Sequence, residues 1–153
     1  MESKLRKAVY KGDTKKILSL LKRGTNIDEL DENNRTVLLE LTSYFIATNY
    51  NIPPSLIKLL IDLGANVNYQ LKCNTSITNR FEFETPLVNA VKTKKIEIIK
   101  VLLENGADPN ALIDNCYPPY REFPANILSL TPEDSIDQTD QEIRKLLLEF
   151  GAK

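Results

Sequence analysis

Five acidic side chains lie between residues 131 and 142, with no Lys, Arg or His among them. They are Glu133, Asp134, Asp137, Asp140 and Glu142. Two carboxylates can catalyse hydrolysis when a cleft raises the pKa of one of them. Acids also stabilise helix N-termini, and Thr131-Pro132 and Asp140-Gln141 are typical of helix starts. The sequence therefore favours solvated helix starts over a hydrolase that uses these carboxylates.

Nucleophilic and metal chemistry have few residues to draw on. The chain contains no histidine, which removes the commonest acid/base group, the commonest nitrogen ligand and every Ser-His or Cys-His pair. Cys73 and Cys116 are too few for a disulfide framework, and we expect both to be free thiols. No phosphate-binding glycine loop, nucleophile elbow or CxxC motif occurs. We therefore predict that the protein is not an enzyme and uses no cofactor or metal.

Basic residues are concentrated at the start of the chain. The first 23 residues contain eight Lys and Arg, at positions 4, 6, 7, 11, 15, 16, 22 and 23, against two acids. Such a face could bind nucleic acid or a phosphorylated ligand. Tyr10 is the only aromatic residue among them, which gives stacking on single strands little support. The sequence favours a solvated end of the fold over a binding face for nucleic acid, and a phosphorylated ligand or an acidic partner stays open as an alternative.

One domain of ordinary composition carries these residues. The chain has 153 residues, 42% hydrophobic and 27% charged, with a net charge of −1, as expected for a globular protein with one core. No apolar run approaches the roughly 18 residues that span a bilayer. The first 13 residues lack the apolar segment of a signal peptide. We therefore predict a cytoplasmic protein without a membrane segment.

The same pattern occurs four times along the chain. Apolar stripes at helical spacing stop at Gly24, Gly64, Gly106 and Gly151. A glycine directly after such a stripe is the usual left-handed stop of a helix. A second, shorter apolar segment precedes each stripe, at residues 5–9, 36–47, 85–91 and 124–130. The repeat of helix, turn, helix and stop predicts a solenoid in which each unit packs against its neighbours.

The third copy, TPLVNAVKTKKIEIIKVLLENGADPN at residues 85–110, resembles an ankyrin repeat. It has the Thr-Pro-Leu start, the apolar second helix and the Gly-Ala-Asp-x-Asn tail of that family, but Val88 replaces the usual His. The glycine between the helices is kept as Gly12 in the first copy and is Lys94 in the third. The resemblance implies an all-α ankyrin-repeat solenoid of four helix-turn-helix units joined by long hairpin or loop connectors.

The units are spaced more widely than in the family. The stop glycines lie 40, 42 and 45 residues apart, against about 33 for an ankyrin repeat. We place the extra residues outside the packed helices, partly near residues 47–54. One domain then spans residues 1–153, with units at about 1–30, 31–68, 80–110 and 120–153. The insertion loops are residues 69–84, 111–123 and 131–141.

The second helices predict where the array closes. We compare two adjacent positions near the start of each second helix. In the middle units both positions are apolar, as Leu56-Ile57 and Ile98-Ile99. The first unit has Lys16-Ile17 and the last has Ile143-Arg144, so each is polar at one position, on opposite sides. Terminal units of a solenoid need one polar side for solubility. We therefore expect four units, closed at both ends.

Partner-binding residues follow from the resemblance, because ankyrin-repeat proteins bind protein partners with connector tips and the inner-helix groove. In the first connector this selects Glu32, Asn33 and Arg35, with Asn34 at the glycine position of the turn, where left-handed backbone is tolerated. In the groove it selects Tyr10, Lys11, Lys92 and Thr93. Aromatic and Arg side chains, which carry interface energy, add Phe81, Phe83, Tyr117, Tyr120 and Arg121. These loop aromatics could equally pack back onto the repeats.

The functional prediction is therefore a monomeric, non-enzymatic module that binds a protein partner. A small array of this kind also suits an inhibitor or immunity-type protein that blocks one toxin or host protein. The abundance of Lys, Ile and Asn suggests an AT-rich bacterial or viral genome. The site of action would then be the host cytosol if the source is a virus or an intracellular bacterium. The identity of the partner is not encoded in a motif.

Overall fold

A computed structural model describes residues 3–43, 52–75, 80–115 and 126–153. These residues form a stack of helix pairs. The α-helices are α1 (Lys4–Tyr10), α2 (Thr14–Lys22), α3 (Val37–Thr42), α4 (Pro54–Asp62), α5 (Pro86–Lys92), α6 (Ile96–Glu104) and α7 (Gln138–Glu149). The first unit is α1 and α2, the second α3 and α4, and the third α5 and α6; a 3-10 turn, Ile127–Leu130, and α7 form the fourth. The predicted helical solenoid is confirmed.

The first helix of each pair starts at a side chain that caps it. The hydroxyls of Ser3, Thr36 and Thr85 accept hydrogen bonds from the backbone N–H three residues on, at 3.1–3.2 Å. These caps satisfy N–H groups that have no partner within the helix. Proline stands in the first turn of α4 and α5, where its missing N–H costs nothing.

The second helix of each pair stops as the sequence predicts. Gly106 follows α6 with φ of +86°, and the other three stop glycines have φ between +86° and +98°. The connector residue Asn34 is also left-handed, with φ of +57°. Lys94 has φ of +54° and thus adopts the conformation that Gly12 has at the matching position of the first unit, +63°. The backbone therefore repeats even where the side chain does not.

The core runs without interruption through the stack. α3 packs against α5 and α4 against α6, while the fourth unit contacts α5 through its 3-10 turn and α6 through α7. One apolar cluster extends from Leu5 to Ala152. Ile57, Leu102 and Leu147 are fully buried, and Leu20 nearly so. Each unit thus supplies a wall for the next, which is the defining property of a solenoid.

Burial differs between the paired positions of the second helices. Ile98 and Ile99 of the third unit are both buried, whereas Lys16 of the first unit is exposed beside buried Ile17. In the last unit Ile143 is buried and Arg144 is half-buried. Lys16 is thus the solvent-facing member of its pair, whereas Arg144 contacts the 3-10 turn of its own unit, so closure of the array at both ends stays a prediction.

The fourth unit departs from the expected helix pair in two ways. Its first helix is only the four-residue 3-10 turn, because Pro132 follows closely and disfavours helical backbone at Thr131. The Arg144 guanidinium from α7 donates to the carbonyl oxygens of Leu128 and Thr131, at 3.3 and 2.9 Å, and so satisfies the end of this turn. α7 begins at Gln138, so the last four residues of the predicted loop 131–141 are helical.

Two of the predicted connectors contain a small antiparallel sheet. Its strands are β1 (Leu71–Thr75), β2 (Arg80–Glu84) and β3 (Asp114–Asn115), in the order β1-β2-β3. Cys73 pairs with Glu82, which pairs with Asp114 on its other side. None of the helices that the structure describes combines the length and apolar character needed to cross a membrane.

Candidate protein-binding surface

The stack has two edges that differ in what they expose. The connector edge is where successive units join, at residues 31–35 and at the sheet. The turn edge is where the two helices of one unit join, for example at Lys11–Asp13. A seven-residue helix such as α1 is about 10 Å long, so its two ends belong to different edges. The predicted site residues in the described part of the chain are divided between these edges.

The first connector is a rigid turn at the connector edge. The Asp31 carboxylate accepts hydrogen bonds from the backbone N–H groups of Asn33 and Arg35, both at 2.8 Å. The Asp31 N–H donates to the Arg35 carbonyl oxygen at 3.0 Å, and the Asn34 N–H to that of Asp31 at 3.0 Å. Glu32 and Asn33 are exposed at the tip. Two predicted binding residues are thus presented on a fixed backbone.

Neighbouring elements hold this turn from outside. The Tyr69 hydroxyl donates to the Asn34 carbonyl oxygen at 2.6 Å. The guanidinium of Arg35 lies 3.1 Å from the Glu84 carboxylate of β2, with both side chains half-buried. Sequence reasoning missed Tyr69, and the only signal was an aromatic residue directly after the Asn68 tail. The structure places Arg35 where it fastens the first connector to the sheet.

The sheet accounts for the described part of the aromatic connectors. Phe83 is half-buried, and its N–H donates to the Ile113 carbonyl oxygen at 3.0 Å. Phe81 lies in β2 with Asn74 and Asn115 on either side in register. Partial burial of Phe83 is compatible with both packing and binding. Tyr117, Tyr120 and Arg121 lie outside the described residues.

Four predicted groove residues lie at the turn edge. Tyr10 is half-buried at the end of α1, and Lys11 is exposed just beyond it. Lys92 is exposed at the end of α5. The Thr93 hydroxyl donates to the carbonyl oxygens of Asn89 and Ala90 at 3.0 and 3.2 Å. The structure thus places these four residues at one edge, and Thr93 also closes its own helix.

One of the eight basic residues near the start of the chain is buried in the folded protein. Arg6 is only 4% exposed, and its guanidinium contacts the Glu40 carboxylate of α3. It also donates to the carbonyl oxygens of Glu29 and Arg35 at 3.1 and 2.6 Å. Arg6 therefore joins the first two units and does not belong to a solvent-facing patch. The seven other cations are exposed: Lys4, Lys7, Lys11, Lys15, Lys16, Lys22 and Arg23.

The acidic stretch acts at a helix start. Asp137 caps α7, and its carboxylate accepts from the Thr139 N–H at 2.8 Å. The Lys94 ammonium lies 2.5 Å from Asp137 and 2.7 Å from Asp140, joining the third and fourth units. The hydrogen bond from Lys94 lowers the pKa of Asp137 below its usual 3.8, and the same contact raises the pKa of Lys94. The carboxylates are thus used for capping and unit attachment.

Cysteine and metal chemistry gain no site from the described residues. Cys73 lies in β1, where it pairs with Glu82. Cys116 lies outside the described residues, so two free thiols remain a prediction. Across residues 3–43, 52–75, 80–115 and 126–153, no three His, Cys, Asp or Glu side chains are grouped as metal ligands.

Comparison with known proteins identifies the class to which this fold and surface belong. A family model for three copies of the ankyrin repeat matches residues 5–113, which is more than half of the chain. The chain therefore belongs to the ankyrin repeat family, whose members are generally protein–protein interaction modules. The fourth unit, the one with the 3-10 turn, lies beyond the matched residues.

The alignments cover only part of each similar protein. One ankyrin repeat protein of Acanthamoeba polyphaga mimivirus is 34% identical over 96 residues, which cover 61% of this chain and 51% of that protein. A second from the same virus is 30% identical over 154 aligned positions, covering 89% of this chain and 38% of that protein. An Arabidopsis thaliana protein named as an E3 ubiquitin-protein ligase is 33% identical over 100 residues, 65% of this chain and 23% of that protein. The chain thus spans about half or less of these relatives.

Proposed function

We propose that the chain binds a protein partner at its connector edge and performs no chemistry on it. The observation that carries this proposal is the turn at residues 31–35, which presents Glu32 and Asn33 on a backbone fixed by four hydrogen bonds. A fixed loop loses little conformational freedom on binding, so more of the contact energy appears as affinity. Exposed polar residues beside half-buried aromatic ones also match the composition of protein interfaces.

The half-buried residues around the turn support the same edge. Tyr69 contacts the turn at Asn34, and Arg35 is part of the turn. Phe83 directly precedes Glu84, which pairs with Arg35. Tyr, Phe and Arg are enriched in interfaces. Their partial burial means that they are already positioned before a partner arrives. We propose that Glu32 and Asn33 set specificity, while the aromatic residues contribute contact area. An adaptor and an inhibitor of a toxin or host protein would use this surface in the same way.

The connector edge can be tested by affinity capture from extracts of the source. Glu32→Arg and Asn33→Arg reverse or add charge at the tip without changing the backbone contacts of the turn. We expect each to reduce the recovery of a specific partner at least tenfold. Glu104→Arg is the matched control, because Glu104 is exposed on α6, in the row of second helices. A third arm changes Tyr117, Tyr120 and Arg121 to Ala together.

The outcomes separate the possible contacts. Loss of the partner with the tip variants and retention with Glu104→Arg supports the connector edge. Full retention by both tip variants and by the triple Ala variant excludes this edge as the contact. Adding the wild-type chain to the purified partner then distinguishes roles, since an inhibitor abolishes the partner's own activity at equimolar amounts and an adaptor does not.

The exposed cations of the first unit support a second candidate, the binding of nucleic acid or a phosphorylated ligand. Seven exposed Lys and Arg on one unit provide a positive field, and their contacts with phosphates would release counterions. Binding to a labelled oligonucleotide or a phosphopeptide should then weaken steeply with salt. Lys15→Gln with Lys22→Gln should reduce the salt slope, whereas Glu32→Arg should not reduce it. A protein partner whose affinity changes little between low and high salt favours the first proposal.

A further inference from the structure

One apolar side chain stands completely outside the fold. Ile136, in the loop between the 3-10 turn and α7, is 100% exposed. The exposed acids Glu133 and Asp134 precede it in the same loop, and Glu133 also lies 3.9 Å from the Arg144 guanidinium. An isoleucine in full contact with water gains from any apolar surface that can receive it. The loop therefore has the chemistry of an apolar anchor with acidic neighbours.

The backbone around Ile136 is fixed on both sides. The Ser135 hydroxyl donates to the Asp140 carboxylate at 3.0 Å, and the Gln141 amide donates to the Ser135 carbonyl oxygen at 2.8 Å. On the other side, the Asp137 N–H donates to the Ser135 hydroxyl at 3.2 Å, and the Asp137 carboxylate is held by Lys94. The side chain is thus exposed by a rigid loop, and binding it would cost little ordering.

A groove between the first and second units has complementary chemistry. It has a volume of about 590 Å³, within the range of ligand pockets, which run from about 300 to 1,000 Å³. Val9, Leu56 and Leu59 provide apolar lining, and exposed Lys11 lies at its margin. Lys15 is exposed next to the lining residue Thr14.

The acidic group beside this groove is already engaged. Asp13 caps α2, where its carboxylate accepts a hydrogen bond from the Lys16 N–H at 2.9 Å. The two lysines at positions 11 and 15 therefore outnumber the acid at this margin. An apolar side chain flanked by carboxylates would find both burial and opposite charge here.

The groove cannot receive Ile136 of its own chain. The third unit lies between the groove and the fourth unit, and stacked helices are about 8–10 Å apart. Both features nevertheless lie at the turn edge, because Lys11 and Ile136 each belong to the link between the two helices of a unit. Two copies that meet turn edge to turn edge, in opposite directions, bring each Ile136 loop to the other's groove.

We propose that the chain forms a two-fold symmetric dimer in which the Ile136 loop of each copy occupies the groove beside Lys11 of the other. Two identical contacts close the assembly and leave no loop or groove for a third copy. The connector edges face outward, so the dimer leaves the proposed partner surface open. The sequence alone predicts a monomer. We infer a dimer instead because the Ile136 loop of one copy fits the groove beside Lys11 of the other.

Sedimentation velocity over a concentration series tests the dimer. The wild-type chain should change from 17.4 kDa toward twice that mass as concentration rises. Ile136→Ser should raise the dissociation constant at least tenfold, and its complete exposure means that the monomer fold is kept. Leu30→Ser is the matched control, because Leu30 is 51% exposed but lies at the connector edge. It should leave the dissociation constant unchanged.

Charge reversal gives a second, independent test. Lys11→Glu alone should weaken the dimer, and Lys11→Glu combined with Asp134→Lys should restore it. An unlabelled peptide of residues 131–138 in excess should also dissociate the wild-type dimer. A chain that stays monomeric throughout, or a dimer unaffected by Ile136→Ser, overturns the proposal. Peptide binding by a strictly monomeric chain also overturns it, and assigns the groove to an acidic segment of another protein.

Discussion

Two junctions in the stack use one cation each, in opposite environments. Between the first and second units, Arg6 is buried and contacts Glu40 together with two carbonyl oxygens. Between the third and fourth units, Lys94 is half-exposed and contacts Asp137 and Asp140. A buried cation must keep all its partners, whereas an exposed one is exchangeable with water. The contacts of Arg6 are therefore part of the packing between the first two units. The contacts of Lys94 are a surface ion pair that water can replace.

The difference matches the helices on either side. α1 and α3 are both regular, so a buried side chain between them can be fully coordinated. The fourth unit has only a 3-10 turn in place of a first helix and offers less surface to α5. Its attachment relies on α7 and on polar contacts at the surface. We therefore expect the fourth unit to open at lower free energy than the first three.

Loss of Arg6 should have the largest effect on stability. Arg6→Met keeps the bulk of the side chain but removes the cation beside the Glu40 carboxylate and a donor to the carbonyl oxygens of Glu29 and Arg35. The Arg35 oxygen keeps the Asp31 N–H as a donor. We expect the free energy of unfolding to fall by about 3 kcal/mol, measured by urea denaturation. Lys7→Met is the control on the same helix, since Lys7 is exposed. A loss below about 1 kcal/mol would show that the buried contact resembles a surface ion pair.

A neutral junction provides the intermediate case. Asn68, after the second unit, donates to the Gly106 carbonyl oxygen of the third at 2.9 Å, in a turn that requires left-handed backbone. Gly106→Val should cost about 1–3 kcal/mol. No atom lies within 4 Å of the added Cβ, so the cost comes from the backbone alone. Gly106→Asn, which tolerates this conformation, should cost less; equal melting points for both variants and wild type would contradict the assigned helix stop.

The sequence was sufficient for features that depend on local chemistry. Stripe spacing and the stop glycines predicted the helix pairs, and the residue type at position 34 predicted its left-handed turn. Contacts across units were not predictable in the same way. Arg6 stands among seven other Lys and Arg in the first 23 residues, and what distinguishes it is its contacts with groups far along the chain, such as Glu40, 34 residues away.

The predicted surface shows the same limit. The resemblance located the tip of the first connector, because turn length and the position of Asn34 are local properties. The resemblance implied hairpin or loop connectors, and the β1–β2 hairpin lies within one of them. The pairing of β2 with β3 was missed, since β3 belongs to the next connector. The short turn in the fourth unit was also missed. Its apolar residues fit a helix by spacing, and the outcome depends on Pro132 and on Arg144 from α7.

Substitutions of Lys94 separate the backbone conformation from the ion pairs. Lys94→Gly relieves the left-handed strain and removes the contacts with Asp137 and Asp140, whereas Lys94→Met removes the contacts and keeps the strain. The melting temperature of the Met variant should therefore be below that of both wild type and the Gly variant. A Met variant as stable as wild type would mean that the exposed contacts contribute nothing to the fourth unit.

The smallest expected effect is the pH dependence of the stability that the contacts of Lys94 contribute to the junction between the third and fourth units. The pKa of Asp137 is lowered below 3.8 in the folded protein, so its contact stabilises the fold above pH 3.8 and is lost as pH falls through the folded pKa. The pKa of Lys94 is raised above 10.5, so its contribution is present below pH 10.5 and is lost as pH rises through the folded value. The stability difference between wild type and Lys94→Met should therefore be constant near neutral pH and vanish in acid.

Salt provides the control for this prediction. At 1 M salt the screening length is about 3 Å, so the exposed contacts of Lys94 should weaken while the buried contacts of Arg6 persist. Urea denaturation of wild type, Lys94→Met and Arg6→Met at neutral pH, with and without 1 M NaCl, measures both. If salt reduced the Arg6→Met penalty as much as the Lys94→Met penalty, the two cations would lie in equivalent environments. The comparison of the two junctions would then be wrong.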